Sequence, residues 1–280
     1  MPRLAEPGPA PMPPHRQRSQ GRIALSVTRF GAATRVSRIG EGGPLRVRLP
    51  RAPGPALEAV LVNTGGGIAC GDTATVEVEA AEGSELVFTT TAAEKIYRSD
   101  GPDATTAVRL SLEAGARLDW LPQETILFDR ARLRRRFDID LSATARLTVF
   151  EAIVFGRGAS GERVDEGLLE DRWRIRRDGK PIFADTLRLD GPVSALLDRP
   201  AVAGGARALA TFLYVAPDAE ARLEAAREML ADTPCPCGAS AWGGLLAVRF
   251  LAESIGTLRG AAATFITRFR GTPMPRVWQS

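Results

Sequence analysis

Between Val76 and Glu151 the chain writes one fifteen-residue phrase three times, and this recurrence limits the fold more than any other feature. The copies are Val76 to Thr90 (VEVEAAEGSELVFTT), Val108 to Pro122 (VRLSLEAGARLDWLP) and Phe137 to Glu151 (FDIDLSATARLTVFE). Gly83, Gly115 and Thr144 share one column of this alignment, and Leu86, Leu118 and Leu147 share another. Within each copy apolar and polar residues alternate on both sides of a small-residue turn, as in two strands that bury one face. A recurrence of roughly 30 residues predicts a mainly β scaffold of stacked β-hairpins or a β-solenoid, whose units cover each other's apolar faces. The loops then emerge on one side. Each carries a carboxylate and an arginine: Glu94 with Arg98, Glu124 with Arg130, and Glu151 with Arg157.

The flanks fit the same scaffold. A proline-rich opening, residues 1 to about 20, reads as a disordered tail, and residues 21–280 as the folded part. Short alternating stretches at Ile23–Val27 and Leu45–Leu49 and the apolar Ala59–Val62 read as strands. Asn63 to Asp72 (NTGGGIACGD) has the glycines of a phosphate loop, but Asp72 stands where that loop needs lysine and a strand follows instead of a helix. It reads as a tight bend presenting Asp72. Asp178-Gly179 between Arg172–Arg177 and Pro181–Leu187 is a type I′ hairpin signal. The β scaffold is expected to run to about residue 200, and a helix-containing part to follow over 201–280. Helices are predicted over Asp218–Ala231 and Ser254–Arg270, around a strand at Gly244–Leu251.

Composition excludes several chemistries. His15 is the only histidine and lies in the opening segment, which removes Ser-His-Asp and Cys-His catalysis and most histidine-ligated metal sites. The net charge of +4 comes from arginine, with Lys95 and Lys180 the only lysines. Arg130, Arg132, Arg134, Arg135 and Arg136 form one dense cluster without any nucleic-acid-binding signature, so no nucleic acid is expected as partner. No apolar run approaches the ~20 residues of a membrane span, and the start of the chain lacks a secretory core. A cytoplasmic protein with no membrane partner is the expectation. Cys70, Cys235 and Cys237 then read as free thiols, Cys70 as a buried small residue.

Several segments, in order, resemble the UreD family of urease accessory proteins, called UreH in some bacteria. They are NTGGGIACGD, TTTAAEKIYRS (Thr89 to Ser99), WLPQETILFD (Trp120 to Asp129), FEAIVFGRGASGE (Phe150 to Glu162) and the closing Met274-Pro275-Arg276-Val277-Trp278. The chain departs from the family pattern at Cys70, commonly glycine, and at Thr91, often glutamine, and the Cys235–Cys237 pair is outside the pattern. The resemblance implies a mostly β scaffold with two helices and no catalysis of its own. UreF, UreG and urease apoprotein are the implied partners, with GTPase activity on UreG and no stably bound cofactor.

The cargo implied is nickel(II) in transit to the urease active site. Carboxylates hold divalent nickel more weakly than imidazole or thiolate, which suits a conduit of several weak sites in series. By the resemblance, Asp72, Glu151 and Asp185 match acidic positions of nickel passage; Glu94 and Glu124 are added by the stacking argument. A structural ion pair with Arg98, Arg130 or Arg157 is the competing reading for each, and the two roles are compatible. Tyr97, Trp120, Phe128 and Trp278 are candidate partner contacts, since aromatic residues anchor interfaces, and core packing is the alternative. A purely structural recruiting scaffold without nickel contact remains open as a second function.

Overall fold

A period-two alternation turns every second side chain of each copy to the same side, and two sheets placed face to face bury those sides together. In the computed structural model, which describes residues 18–51 and 54–279, that is how the repeats are arranged. The strands are β1 (Gln20–Phe30), β2 (Ala33–Gly42), β3 (Leu45–Arg48), β4 (Leu57–Asn63), β5 (Thr73–Ala80), β6 (Glu85–Thr90), β7 (Glu94–Ile96), β8 (Ala104–Leu112) and β9 (Arg117–Leu121). There follow β10 (Thr125–Leu127), β11 (Arg132–Leu141), β12 (Arg146–Phe155), β13 (Gly167–Arg177), β14 (Lys180–Gly191), β15 (Ala208–Val215), β16 (Cys237–Trp242) and β17 (Leu245–Ala252). Three helices complete the list: α1 (Val193–Asp198), α2 (Leu223–Leu230) and α3 (Ile255–Arg270).

The two strands of one copy do not pair with each other. The first strands, β5, β8 and β11, lie side by side and parallel in a seven-stranded sheet of order β14-β13-β11-β8-β5-β1-β2. The second strands, β6, β9 and β12, do the same in a ten-stranded sheet. Each copy is therefore one coil of a β-solenoid, and the stacked-hairpin alternative is set aside. Val76 faces Val108, which faces Phe137, and Leu86 faces Leu118, which faces Leu147, so the columns of the sequence alignment are the strand register. At the turn between sheets Gly83 and Gly115 take left-handed φ values of 63° and 67°, and Thr144 accepts the Gly115 N–H at 2.9 Å.

The space between the sheets is filled by the inward residues of every coil. One aromatic file runs through it: Phe88 stacks on Trp120 at 4.6 Å, Trp120 meets Phe137 edge-on, and Phe137 stacks on Trp173 at 4.0 Å. A second core lies on the outer face of the ten-stranded sheet, under α2 and α3, where Phe212 touches Phe265 and Phe269. This explains β12, whose residues after Arg146 are all buried: one face looks into the coil and the other lies under the helices.

The type I′ turn forms with positive φ at both Asp178 (49°) and Gly179 (73°). α3 begins at the Ser254 cap, whose side chain accepts the Thr257 N–H, and ends at left-handed Gly271. The helix read over Asp218–Ala231 is shorter, beginning as a 3-10 turn at Glu220–Arg222, and α1 was not anticipated. Beyond residue 200, β15 and β17 continue the ten-stranded sheet. Of the tail expected over residues 1 to 20, positions 1 to 17, with His15, lie outside the described residues. Gln20 already belongs to β1. No helix among the described residues is long and apolar enough to cross a membrane.

Candidate functional site

On β11 the inward positions are Leu133, Arg135, Phe137 and Ile139, so the strand's own alternation carries one guanidinium into the coil. On β13 the same parity brings in Leu169, Asp171, Trp173 and Ile175. From the facing sheet, Glu151 of β12 completes the set. Arg135 donates to both oxygens of Asp171 at 2.9 and 2.8 Å and to Glu151 at 2.6 Å. Both carboxylates also accept an indole N–H, Glu151 from Trp120 at 2.7 Å and Asp171 from Trp173 at 3.0 Å. Exposure of Arg135, Glu151 and Asp171 is 6%, 5% and 5%.

This ion layer crosses the coil interior between two apolar clusters, one containing Phe137 and Trp120 and the other Leu133 and Ile153. Burial pushes the Glu151 carboxyl above its ordinary value, with Arg135 and the Trp120 N–H pulling the other way. Burial opposes the charge of Arg135, yet Asp171 and Glu151 hold its pKa above the usual guanidinium range. Two anions around one cation leave the layer with a negative excess when all are ionised. Thr211 is the register partner of Glu151 on β15 and accepts from Arg249, which also binds Asp185 on β14. Asp185 and Arg249 are both partly exposed, so this pair lies at the surface.

Asp72 is placed differently. Its carboxylate accepts the backbone N–H groups of Ser19 at 2.7 Å and Ala69 at 2.8 Å, fixing the glycine bend. Glu94 accepts from Asn63 at 3.0 and 3.1 Å, and burial raises its pKa. Glu124 is buried, 3.6 Å from Arg259 of α3. Stacking does bring their strands together, with Glu94 donating its N–H to the Glu124 carbonyl at 2.9 Å.

The loop ion pairs read from the sequence do not form. Glu94, Glu124 and Glu151 turn to Asn63, Arg259 and Arg135, while Arg157 binds Glu162 and Arg130 approaches only Asp129. The reason is parity: the carboxylates sit on or beside strands and follow the inward face, whereas the arginines lie past the strand ends. Trp120 is corrected from a surface contact to a core residue, 3% exposed. Trp278 is also buried, donating its indole N–H to the Leu121 carbonyl at 3.0 Å. Tyr97 is exposed and Phe128 half-buried, the two meeting edge-on at 5.1 Å. Sequence reasoning missed Arg135 and Asp171, although Leu133-x-Arg135-x-Phe137 and Leu169-x-Asp171-x-Trp173 carried the signal.

The family model described as UreD urease accessory protein matches residues 19–279. The chain belongs to the UreD family of urease accessory proteins. Among its relatives, a protein of Xanthobacter autotrophicus named "Urease accessory protein UreD" is 63% identical over 263 residues, 94% of this chain and 91% of that one. A protein of the same name from Azorhizobium caulinodans is 56% identical, covering 95% and 98% of the two chains. One from Rhodopseudomonas palustris is 46% identical over 93% of this chain and 91% of its own. The UreD family is an accessory one rather than a catalytic one.

Proposed function

We propose that this chain serves urease maturation in the cytoplasm by scaffolding UreF and UreG on urease apoprotein and by supporting nickel delivery through weak carboxylate contacts. GTP hydrolysis falls to UreG in this reading, since the glycine bend here has Asp72 where a phosphate loop needs lysine. The observation that carries the reading is the Glu151–Arg135–Asp171 layer inside an otherwise apolar coil. An apolar replacement of such a group is often neutral or favourable for stability, so its presence calls for a purpose beyond stability. Among the described residues no three or more His, Cys, Asp or Glu side chains gather into a potential metal cluster. Carboxylates that already share a guanidinium hold a divalent ion loosely, which suits cargo in transit.

The second reading, a recruiting scaffold that leaves nickel alone, is favoured by the internal donors that Asp72, Glu151 and Asp185 already have. Isosteric changes separate the two. The chain carrying Asp72→Asn, Glu151→Gln and Asp185→Asn is coexpressed with the urease subunits, UreF and UreG, and urease is assayed for nickel and activity. Normal complex formation with depleted nickel is expected. An intact complex with full nickel leaves the recruiting reading standing, and full activity after omission of the whole chain refutes both.

A further inference from the structure

The arginines that the sequence placed beside the loop carboxylates form a surface of their own. We infer that the rim made by Tyr97, Arg98, Phe128, Arg130 and Arg157 is a docking surface for an acidic segment of a partner protein. Three successive coils build it, with Tyr97 and Arg98 following β7, Phe128 and Arg130 following β10, and Arg157 following β12. They surround a hollow of about 560 Å³. Its wall is the Tyr97–Phe128 pair, and the Arg157 guanidinium lies over the Phe128 ring at 4.5 Å.

Charge decides what such a hollow attracts. Its two anions are engaged: Glu162 takes both hydrogen bonds of the Arg157 fork at 2.8 and 3.1 Å, and Asp129 accepts the backbone N–H groups of Asp165 and Glu166 at 2.8 and 3.2 Å. Of its cations only Arg157 is equally committed, to Glu162. No ion pair of Arg98 or of the neighbouring Lys95 is found among the described residues, and Arg130 comes no nearer than 3.8 Å to its own neighbour Asp129. With Lys95 the hollow's residues carry four cations against two anions, so its net charge is positive, and guanidinium groups recognise carboxylates in pairs of hydrogen bonds.

The backbone adds an independent sign. Arg130 adopts a left-handed φ of 61°, a conformation that costs a side-chain-bearing residue energy and that glycine takes freely. The Arg130 N–H bond to the Glu166 carbonyl and the Ser99 N–H bond to the Arg130 carbonyl, both 2.8 Å, hold it there. Unfavourable backbone conformations persist where the surroundings enforce them, and they gather at functional sites. Nucleic acid fits less well than protein, because the rings that would stack bases are already taken up: Phe128 meets Tyr97 edge-on and has Arg157 over its ring.

The inference rests on the assembly reading only for the identity of the partner. Purified UreF, UreG and urease apoprotein are titrated separately against the full chain, beside a short fluorescein-labelled Glu- and Asp-rich peptide and a single-stranded oligonucleotide. One variant combines Lys95→Ala, Arg98→Ala and Arg130→Gly; a second, Lys95→Glu with Arg98→Glu, leaves the strained position untouched. A control removes Arg22 and Arg109 from the solvent face of the seven-stranded sheet. One partner and the peptide are expected to bind about tenfold more weakly to the rim variants and normally to the control, as the loss of several exposed charge pairs predicts. Binding indifferent to the rim variants, equal loss in the control, tighter rim-dependent binding of the oligonucleotide, or no peptide binding by the unaltered chain overturns the inference. Failure of the assembly reading shows separately, as no association of the unaltered chain with any of the three proteins.

Discussion

Replacing Arg135 by methionine removes the one cation that faces Glu151 and Asp171 inside the coil. Three charge-assisted hydrogen bonds disappear, and two carboxylates that are about 95% buried remain with only the Trp120 and Trp173 indoles as donors besides each other's repulsion. Breaking a buried ion pair from one side typically costs about 3–5 kcal/mol. Against a total stability of roughly 5–15 kcal/mol, that is a large share. With a urea dependence on the order of 3 kcal/mol per molar, the unfolding midpoint should fall by about 1–1.7 M. Circular dichroism supplies the unfolding curve, and tryptophan fluorescence reports the layer directly because two of its donors are indoles. The compensated variant, Arg135→Met with Glu151→Gln and Asp171→Asn, keeps acceptors for both indoles and carries no charge. It should recover at least ~2 kcal/mol of the loss. A midpoint for Arg135→Met within ~0.3 M of the unaltered chain, or no recovery in the triple variant, refutes the view that the three groups form one mutually dependent ionic unit.

Three further outcomes follow from the geometry. Burial raises the Glu94 carboxyl above its ordinary 4.5, so the folded chain favours the protonated form: this contribution is full below the unfolded value and declines as pH rises through the folded one. Glu94→Gln, which escapes that decline, should therefore gain in thermal midpoint over the unaltered chain as the scan moves from pH 4 to pH 8, and a gain that shrinks with pH contradicts the assignment. Ser254→Ala removes the side-chain acceptor at the start of α3 and should cost about 1 kcal/mol in chemical denaturation. Arg130→Gly relieves a left-handed backbone position and should stabilise the chain by up to about 1 kcal/mol in the same assay, while weakening whatever binds the rim.

The register of the coils was legible because a β-solenoid repeats it: residues in one alignment column are strand partners, as Leu86, Leu118 and Leu147 are. Whether the two halves of a copy pair with each other or with the next copy was not legible, because the alternation is identical in both cases and the distinguishing contacts are long-range. Glu151 announced itself as a candidate, yet its true partner lay one parity step inside an arginine cluster that resembles a solvated strand face. Arg132, Arg134 and Arg136 do point outward, and only Arg135 shares the phase of Leu133 and Phe137. The helix ends were readable from Ser254 and Gly271 because capping is local chemistry. α1 gave no comparable signal, its first turn lacking any side-chain cap.

The last few residues have a consequence for biogenesis. Trp278 fastens to the Leu121 carbonyl, Gln123 reaches the Val277 carbonyl at 3.0 Å, and Arg270 clamps Asp119, so residues 270–278 seal the back of strands made far earlier. A nascent chain that has already completed its coils still shows Phe150 and its neighbours to the medium until α3 and Trp278 have been made. A premature stop shortly before Trp278 should therefore behave like a folding defect at the centre of the molecule, leaving a product prone to capture by chaperones.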